Sequence, residues 1–426
     1  MNSKLKFIFR ISILLFFVIS LAYMPAYTQE KPITINIWRH HKDTEINALK
    51  DLIKRFEKLH PKIKVNLLSF PFSVFTTKLA IAIATNKGPD IINIHNSWAR
   101  KYIKAGLIIP IPEKPAYHEK IKKDFFPMLK SFYYNEAYYG LPLGGSNLSL
   151  FYNKSLFKKA GLDPQHPPRT HKEFVSMAKK LTVHDKAGRI LLSGAAIGMP
   201  NGQGWNYFIE GVLRQFGVSI ISKDLKSVLW NSPQGIKALR WYTGFIKEHK
   251  IYSQTFPVAD DAFKLGLSAM MISGSWSIGQ LKKNAPNLNY AIAPLPASNK
   301  NIRATYGSFW GNALTSNVTD EVRPWAWEFI KFITTYENMK RWTKKTGEVP
   351  MRRQVLNDTD FKKKNPLLVT FINQLPYSHS SVKKDETLYK SAITEAMEQI
   401  IYNDMSPKKA LEQAARTVNK MLRKEK

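Results

Sequence analysis

Gly274-Ser275-Trp276 combines residue types suited to holding a sugar ring. The glycine lets a ligand approach the backbone, and the indole offers a flat apolar face and one N–H donor. The preceding run Ala269-Met270-Met271-Ile272-Ser273 is short and apolar, so it reads as a buried strand emptying into a loop. Ligands of α/β sheets rest at such strand ends. The alternative is a core tryptophan after a tight turn. Similar chemistry recurs in His95-Asn96-Ser97-Trp98, in Trp205-Asn206 at the end of a glycine-spaced loop from Gly198, and in Tyr306-Gly307-Ser308-Phe309-Trp310-Gly311. Arg39, His40, His41 and Arg352 would supply charge for an anionic ligand, or else are solvated loop residues. The adjacent His40-His41 pair also suggests a metal, but neighbouring side chains on an extended segment point apart, so no metal site is expected.

The groups that would cut a substrate are harder to find. A glycoside hydrolase needs two carboxylates about 5 to 10 Å apart across a cleft. Asp90 stands at the entry of its predicted strand instead of following it, and Asp260-Asp261 read as loop residues before a helix. His-Glu-x-x-His and Gly-x-Ser-x-Gly patterns are both missing from the 426 residues. The loop Gly198 to Asn206 is not a phosphate-binding fingerprint, because no Lys-Ser or Lys-Thr follows it. This inventory holds a ligand better than it cleaves one, and neither enzyme nor cofactor chemistry is expected.

A chain of this length is too long for one hydrophobic core, so two domains are the default. Lys4, Lys6 and Arg10 precede the apolar run Ile11 to Tyr23 and then Met24-Pro25-Ala26, the layout of a cleaved signal peptide over residues 1–26. The run falls short of the roughly 20 residues of a membrane span. The absence of cysteine removes disulfides, thiolate sites and a lipid-anchored cysteine, which points to a soluble periplasmic protein. The net charge of +32 raises the question of nucleic acid. The lysines, however, are scattered in short runs such as Lys122-Lys123 and Lys362-Lys363-Lys364, with no zinc-finger or RNA-binding pattern, and no nucleic-acid partner is expected.

The elements that must position these residues follow from periodicity. Ile33 to Trp38 alternates like a strand, Ile46, Leu49, Leu52, Ile53 and Phe56 recur at helical spacing, and Ile63 to Leu67 is a second strand. Strand, helix, strand at this spacing makes a parallel crossover and sets the class as α/β. Phe75 to Ala84 is a further helix, and Asp90 to Ile94 a third strand that delivers His95 to Trp98 at its far end. Trp205 to Phe216 reads as a helix, Trp325, Trp327 and Phe329 sit at core spacing, and Tyr389 to Ile401 carries one apolar stripe.

The ordered set Ile35-Asn36-Ile37-Trp38, Gly88-Pro89-Asp90-Ile91-Ile92, Gly106-Leu107, Tyr139-Gly140-Leu141-Pro142, Leu150-Phe151-Tyr152-Asn153-Lys154, Ala160-Gly161-Leu162 and Glu348-Val349-Pro350-Met351-Arg352 resembles extracellular solute-binding protein family 1. This is the maltose-binding-protein-like group of receptors that serve ABC importers of sugars. The resemblance implies a two-lobed class II periplasmic binding fold, three crossings between lobes, one ligand in the cleft and a helical C-terminal tail. Its crossings would fall at 139–145, 306–311 and 347–350. The lobes would then divide as 31–142 and 308–348 for the first, and 143–307 and 349–426 for the second. The candidate ligand set is Trp38, His40, His41, Asn96, Ser97, Trp98, Ser146, Asn147, Trp205, Asn206, Gly274, Trp276, Gly307, Trp310 and Arg352. The expected partners are a sugar and a membrane permease, with the receptor a monomer. The alternatives are the same fold with an anionic solute, such as a sugar phosphate or glycerophosphodiester, and an exported glycoside hydrolase.

Overall fold

The alternation at the N-terminal end builds a strand longer than its apolar residues suggest: β1 runs Ile33–His40, with Ile35 and Ile37 turned into the core. Arg39 and His40 therefore belong to the strand and are buried, in place of the polar loop expected. The computed structural model describes residues 32–40, 42–198, 204–253, 255–298, 302–383 and 386–424. The expected signal peptide and His41 lie outside them. After β1, helix α1 (Asp43–Leu59) buries the stripe Ile46, Leu49, Leu52, Ile53 and Phe56, and β2 (Ile63–Phe70) returns parallel to β1 with Ile35 opposite Val65. Helix α2 (Phe72–Ala84) leads to β3 (Ile91–His95), parallel to β1 on its other side. The three strands thus end together at His40, Phe70 and His95.

At the expected crossing 139–145 the chain is extended from Leu141 onward. This segment opens β4 (Leu141–Asn153), a strand of 13 residues, all buried. Residues 141–147 pair antiparallel with β7 (Thr305–Leu314), and β7 pairs onward with β3, Trp310 opposite His95. Residues 148–153 pair instead with β5 (Met270–Gly274) and β6 (Tyr290–Ala293). One strand therefore belongs to the sheets of both lobes. Gly145 pairs with Phe309 of β7 and exchanges backbone hydrogen bonds with Val349, its N–H donating to the Val349 carbonyl at 3.0 Å and its carbonyl accepting at 2.8 Å. The three passages between lobes lie side by side at this point. Of the three, the last turns on Gly347, whose φ of 76° suits a residue without Cβ.

Two buried clusters flank these passages. One gathers Ile35, Leu49, Phe56, Phe75, Ile91, Phe329 and Trp342, and the other Leu148, Phe174, Tyr207, Trp230, Tyr242, Tyr389 and Met397. The last stretch contributes to both, since Val349, Met351, Phe371 and Leu375 join the first, while the C-terminal helices Glu386–Asn403 and Pro407–Lys424 join the second. Trp327 and Phe329 are core residues as their spacing implies, and the Trp327 indole donates to Glu113 Oε1 at 2.7 Å. Two local readings need correcting. Asp260 and Asp261 lie in the first turn of the helix Ala259–Lys264, and Tyr207–Leu213 winds as a π-helix, not as a continuous α-helix. Among the described residues no helix is long and apolar enough to cross a membrane.

Candidate functional site

The strand ends converge on a cavity of about 480 Å³. β3 delivers His95 and, in the turn after it, Trp98; β7 supplies Tyr306, Ser308, Phe309 and Trp310. β4 adds Ser146, and later segments add the pair Trp205-Asn206 and Trp276. Trp276 opens the helix Trp276–Asn284, with only Ser275 between it and β5 in place of the loop expected. Its indole folds back over Gly274, where a Cβ would lie 2.1 Å from Cζ3 of the ring. Glycine is thus required here because the tryptophan occupies the space of its side chain.

The ends of β1, β3 and β7 form an aromatic wall of the cavity. Trp98 meets Trp310 edge to face at 5.3 Å, and His40 stacks behind Trp310 with ring centroids 3.9 Å apart. Burial pushes the His40 imidazole down to about 4, with Glu45 opposing and Arg39 assisting. A neutral His40 is therefore a flat support for Trp310 at neutral pH.

Charged groups of both signs line the same space. Lys42 Nζ lies 2.6 Å from Glu45 Oε1, and Glu45 Oε2 accepts from Arg39 at 2.5 Å. Burial disfavours the charged Lys42, but Glu45 and then Glu348 outweigh it and raise its affinity for the proton. Glu348 accepts from the Trp342 indole N–H at 2.7 Å, and burial first, then the nearby Glu45, raises its carboxyl above the usual range. Glu386 accepts from the Ser97 hydroxyl, and Lys390 completes the set. Behind Trp205, the wholly buried Glu210 accepts from Lys383 Nζ at 2.8 Å, from Arg214 Nε at 3.1 Å and from Ser381. Burial alone would raise the Glu210 carboxyl, but Lys383 and Arg214 hold it down at about 2. The Lys383 ammonium lies 5.7 Å from the centre of the Trp205 ring.

The expected ligand set divides. Trp98, Ser146, Trp205, Asn206, Trp276 and Trp310 line the cavity together. His40, Asn96 and Ser97 stand one layer behind: Asn96 Oδ1 accepts from the Phe309 amide at 3.2 Å, and its Nδ2 donates to Ser380 at 2.7 Å. Gly274 shapes the cavity through Trp276. Trp38 packs on Phe70 at 4.9 Å and is not among the lining residues. Asn147 is spent on the Phe371 carbonyl and the Gln374 amide, and a Cβ at Gly307 would strike Met128 and Ser378. Arg352 also stays outside, because its guanidinium is bound to Asp124 at 3.0 Å and to the Thr334 carbonyl. Lys42, Glu348, Glu386, Thr387 and Lys390 also line the cavity, as do His95, Tyr306, Ser308 and Phe309, which lie inside stretches singled out for their chemistry but are absent from the candidate ligand set. Glu348 stands within the expected third crossing, whereas Glu386 to Lys390 sit in a helix whose sequence shows only its apolar stripe. Among the described residues no group of three or more His, Asp or Glu is placed to hold a metal ion.

Comparison with known proteins follows the same lines. Residues 42–340 match the bacterial extracellular solute-binding protein family. The chain is 24% identical over 388 residues to a putative binding protein of Brucella abortus, spanning 87% of this chain and 89% of that one. It is 24% identical over 341 residues to the maltotriose-binding protein of Pyrococcus abyssi, covering 79% and 70% of the two chains. The sn-glycerol-3-phosphate-binding periplasmic protein UgpB of Escherichia coli is 25% identical over 421 residues, with 92% and 93% covered. In fold it superposes on the cyclic alpha-maltosyl-1,6-maltose binding protein from Arthrobacter globiformis with a TM-score of 0.78 at 22% identity, over 92% of this chain and 100% of that one.

Proposed function

The chain belongs to the bacterial extracellular solute-binding protein family, and we propose that it captures a neutral sugar or oligosaccharide between its lobes and hands it to the membrane permease of an ABC importer. The observation that carries this reading is the cavity wall: Trp98, Trp205, Trp276 and Trp310 come from four segments and both lobes to surround one space. Indole faces suit the apolar C–H faces of sugar rings, while polar neighbours meet the hydroxyls. The cavity lining carries two lysines, Lys42 and Lys390, and two acidic residues, Glu348 and Glu386, so neither sign predominates, which suits a neutral solute. The maltotriose-binding relative supports the same class of ligand.

An anionic solute such as a sugar phosphate or glycerophosphodiester is the second reading. Lys42 and Lys390 favour it, as does the likeness to a protein that binds glycerol 3-phosphate. Lys42 already faces Glu45 at 2.6 Å, which argues against it. Hydrolysis is the third reading, and the cavity does hold the two carboxylates not found by sequence alone. Each is engaged, Glu348 by Trp342 and Glu386 by Ser97, and the relatives are receptors. In this proposal the lobes divide at the three passages near 142, 307 and 348, and the receptor acts as a periplasmic monomer released from its signal peptide. A calorimetric panel of maltotriose, shorter maltosaccharides, glycerol 3-phosphate and glycerophosphocholine tests the ligand class. Binding only by the phosphate compounds would replace the neutral-sugar reading with the anionic one. Small-angle scattering should show compaction with a bound sugar, since a cleft ligand touches both lobes only when they close. An unchanged radius of gyration at saturation would rule out closure.

A further inference from the structure

Donor and acceptor chemistry at one corner of the cavity has a single self-consistent solution. Ser97 Oγ contacts a Glu386 carboxylate oxygen on one side and His95 Nδ1, at 2.6 Å, on the other. A carboxylate oxygen only accepts, so the lone hydroxyl proton of Ser97 must point at Glu386. The close approach of Nδ1 is then a hydrogen bond only if the proton sits on Nδ1 and Ser97 Oγ accepts it. The Ser97 amide also points at Nδ1, but at 3.5 Å it is beyond the ordinary hydrogen-bond range and is the weaker of the two contacts, so the 2.6 Å approach of Oγ decides the tautomer. His95 Nε2, across the ring, meets no protein partner among the described residues, while His95 itself lines the cavity. Trp98 and Trp310 hold the ring edge to face at 6.0 and 5.4 Å.

We infer that His95 Nε2 is a fixed hydrogen-bond acceptor for a ligand hydroxyl and that Ser97 and Glu386 are the positioning residues that set its tautomer. The inference rests on the reading of this cavity as the ligand site, and it names the chemistry selected there. A sugar hydroxyl can donate to Nε2, whereas a phosphodiester oxygen only accepts and would meet the Nε2 lone pair as a like partner. The charged and titratable groups facing His95 are Glu386, Lys383 and, from β1, His40. Burial first, and then Lys383, lowers the affinity of His95 for a second proton, with Glu386 opposing, which keeps the acceptor available at neutral pH.

The test begins with the ligand-free protein. Nitrogen NMR of labelled imidazoles, with His95 assigned by the loss of its signals in His95→Gln, should show protonated Nδ1 and bare Nε2 at neutral pH. The Nε2–H tautomer or an imidazolium would overturn the inference whatever the ligand. Ser97→Ala should release the tautomer into a mixture without unfolding the protein. With maltotriose as the probe, His95→Phe should weaken binding by about tenfold or more, while His95→Gln, whose amide oxygen also accepts, should stay within about threefold of the parent. Equal losses in the two variants would overturn the acceptor role. If no sugar of the panel binds the parent protein, the proposed function fails, and the tautomer measurement still decides this point by itself.

Discussion

Gly274→Ala isolates the contribution of Trp276 without touching Trp276. The new Cβ would lie 2.1 Å from Cζ3 of the indole and 2.4 Å from Cε3 and Cη2, against an ordinary contact of 3.4 Å or more. The ring must therefore retreat by more than an ångström. Gly274 ends β5 with no positive φ, so the backbone accepts alanine and the strain falls on the tryptophan alone. An aromatic anchor of this kind typically contributes about 2 kcal/mol, which is roughly thirtyfold in the dissociation constant, so Trp276→Ala should lose about that much. Gly274→Ala, which displaces the ring but keeps it, should lose about tenfold. Because both act on one contact, the double variant should bind no more weakly than Trp276→Ala, a coupling that a calorimetric double-mutant cycle measures directly. Additive losses would refute the reasoning. So would normal affinity in Gly274→Ala, or a steep fall in melting temperature of Trp276→Ala with binding intact, which would make Trp276 a packing residue.

Lys383→Met strips the main partner from the wholly buried Glu210 and should cost about 3 kcal/mol of unfolding free energy in urea, with part regained in the Glu210→Gln, Lys383→Met double variant. A loss within error in the single variant would show that Arg214 and Ser381 suffice. Acid should destabilise the fold through His40 and His171, both held down from 6.5 to about 4 by burial. The folded state favours the neutral rings, so their contribution, up to about 3 kcal/mol each, is complete above pH 6.5 and is lost as the pH falls towards 4. Urea midpoints across that window should slope accordingly, less steeply in His171→Phe, and a flat profile would contradict the assignment. Incubating a bound oligosaccharide with repurified protein should release no reducing ends, and turnover that copurifies with the protein would restore the hydrolase reading.

The sequence by itself determined the class of fold and most of the aromatic wall. The periods of β1, α1, β2 and β3 are local, since each residue's inward or outward direction is set within a few neighbours. A tryptophan among small or amide residues in a turn, as in Asn96-Ser97-Trp98, Gly204-Trp205-Asn206 and Gly274-Ser275-Trp276, is likewise a local signal, and these residues and Trp310 do line the cavity. Charge was not legible in the same way. Arg352 reads as an anion-binding residue until Asp124, 228 positions earlier, takes it, and Arg39 reads as a loop residue until Glu45 draws it into the core. Glu348, Glu386 and Lys390 enter the cavity only because the third passage and a C-terminal helix fold back against strands laid down hundreds of residues before. A charged side chain looks alike in sequence whether solvated or paired, because what it becomes depends on which opposite charge the tertiary structure places within a few ångströms and on whether water is excluded there. The apolar pattern therefore specified where the cavity forms, and the fold alone decided which charges line it.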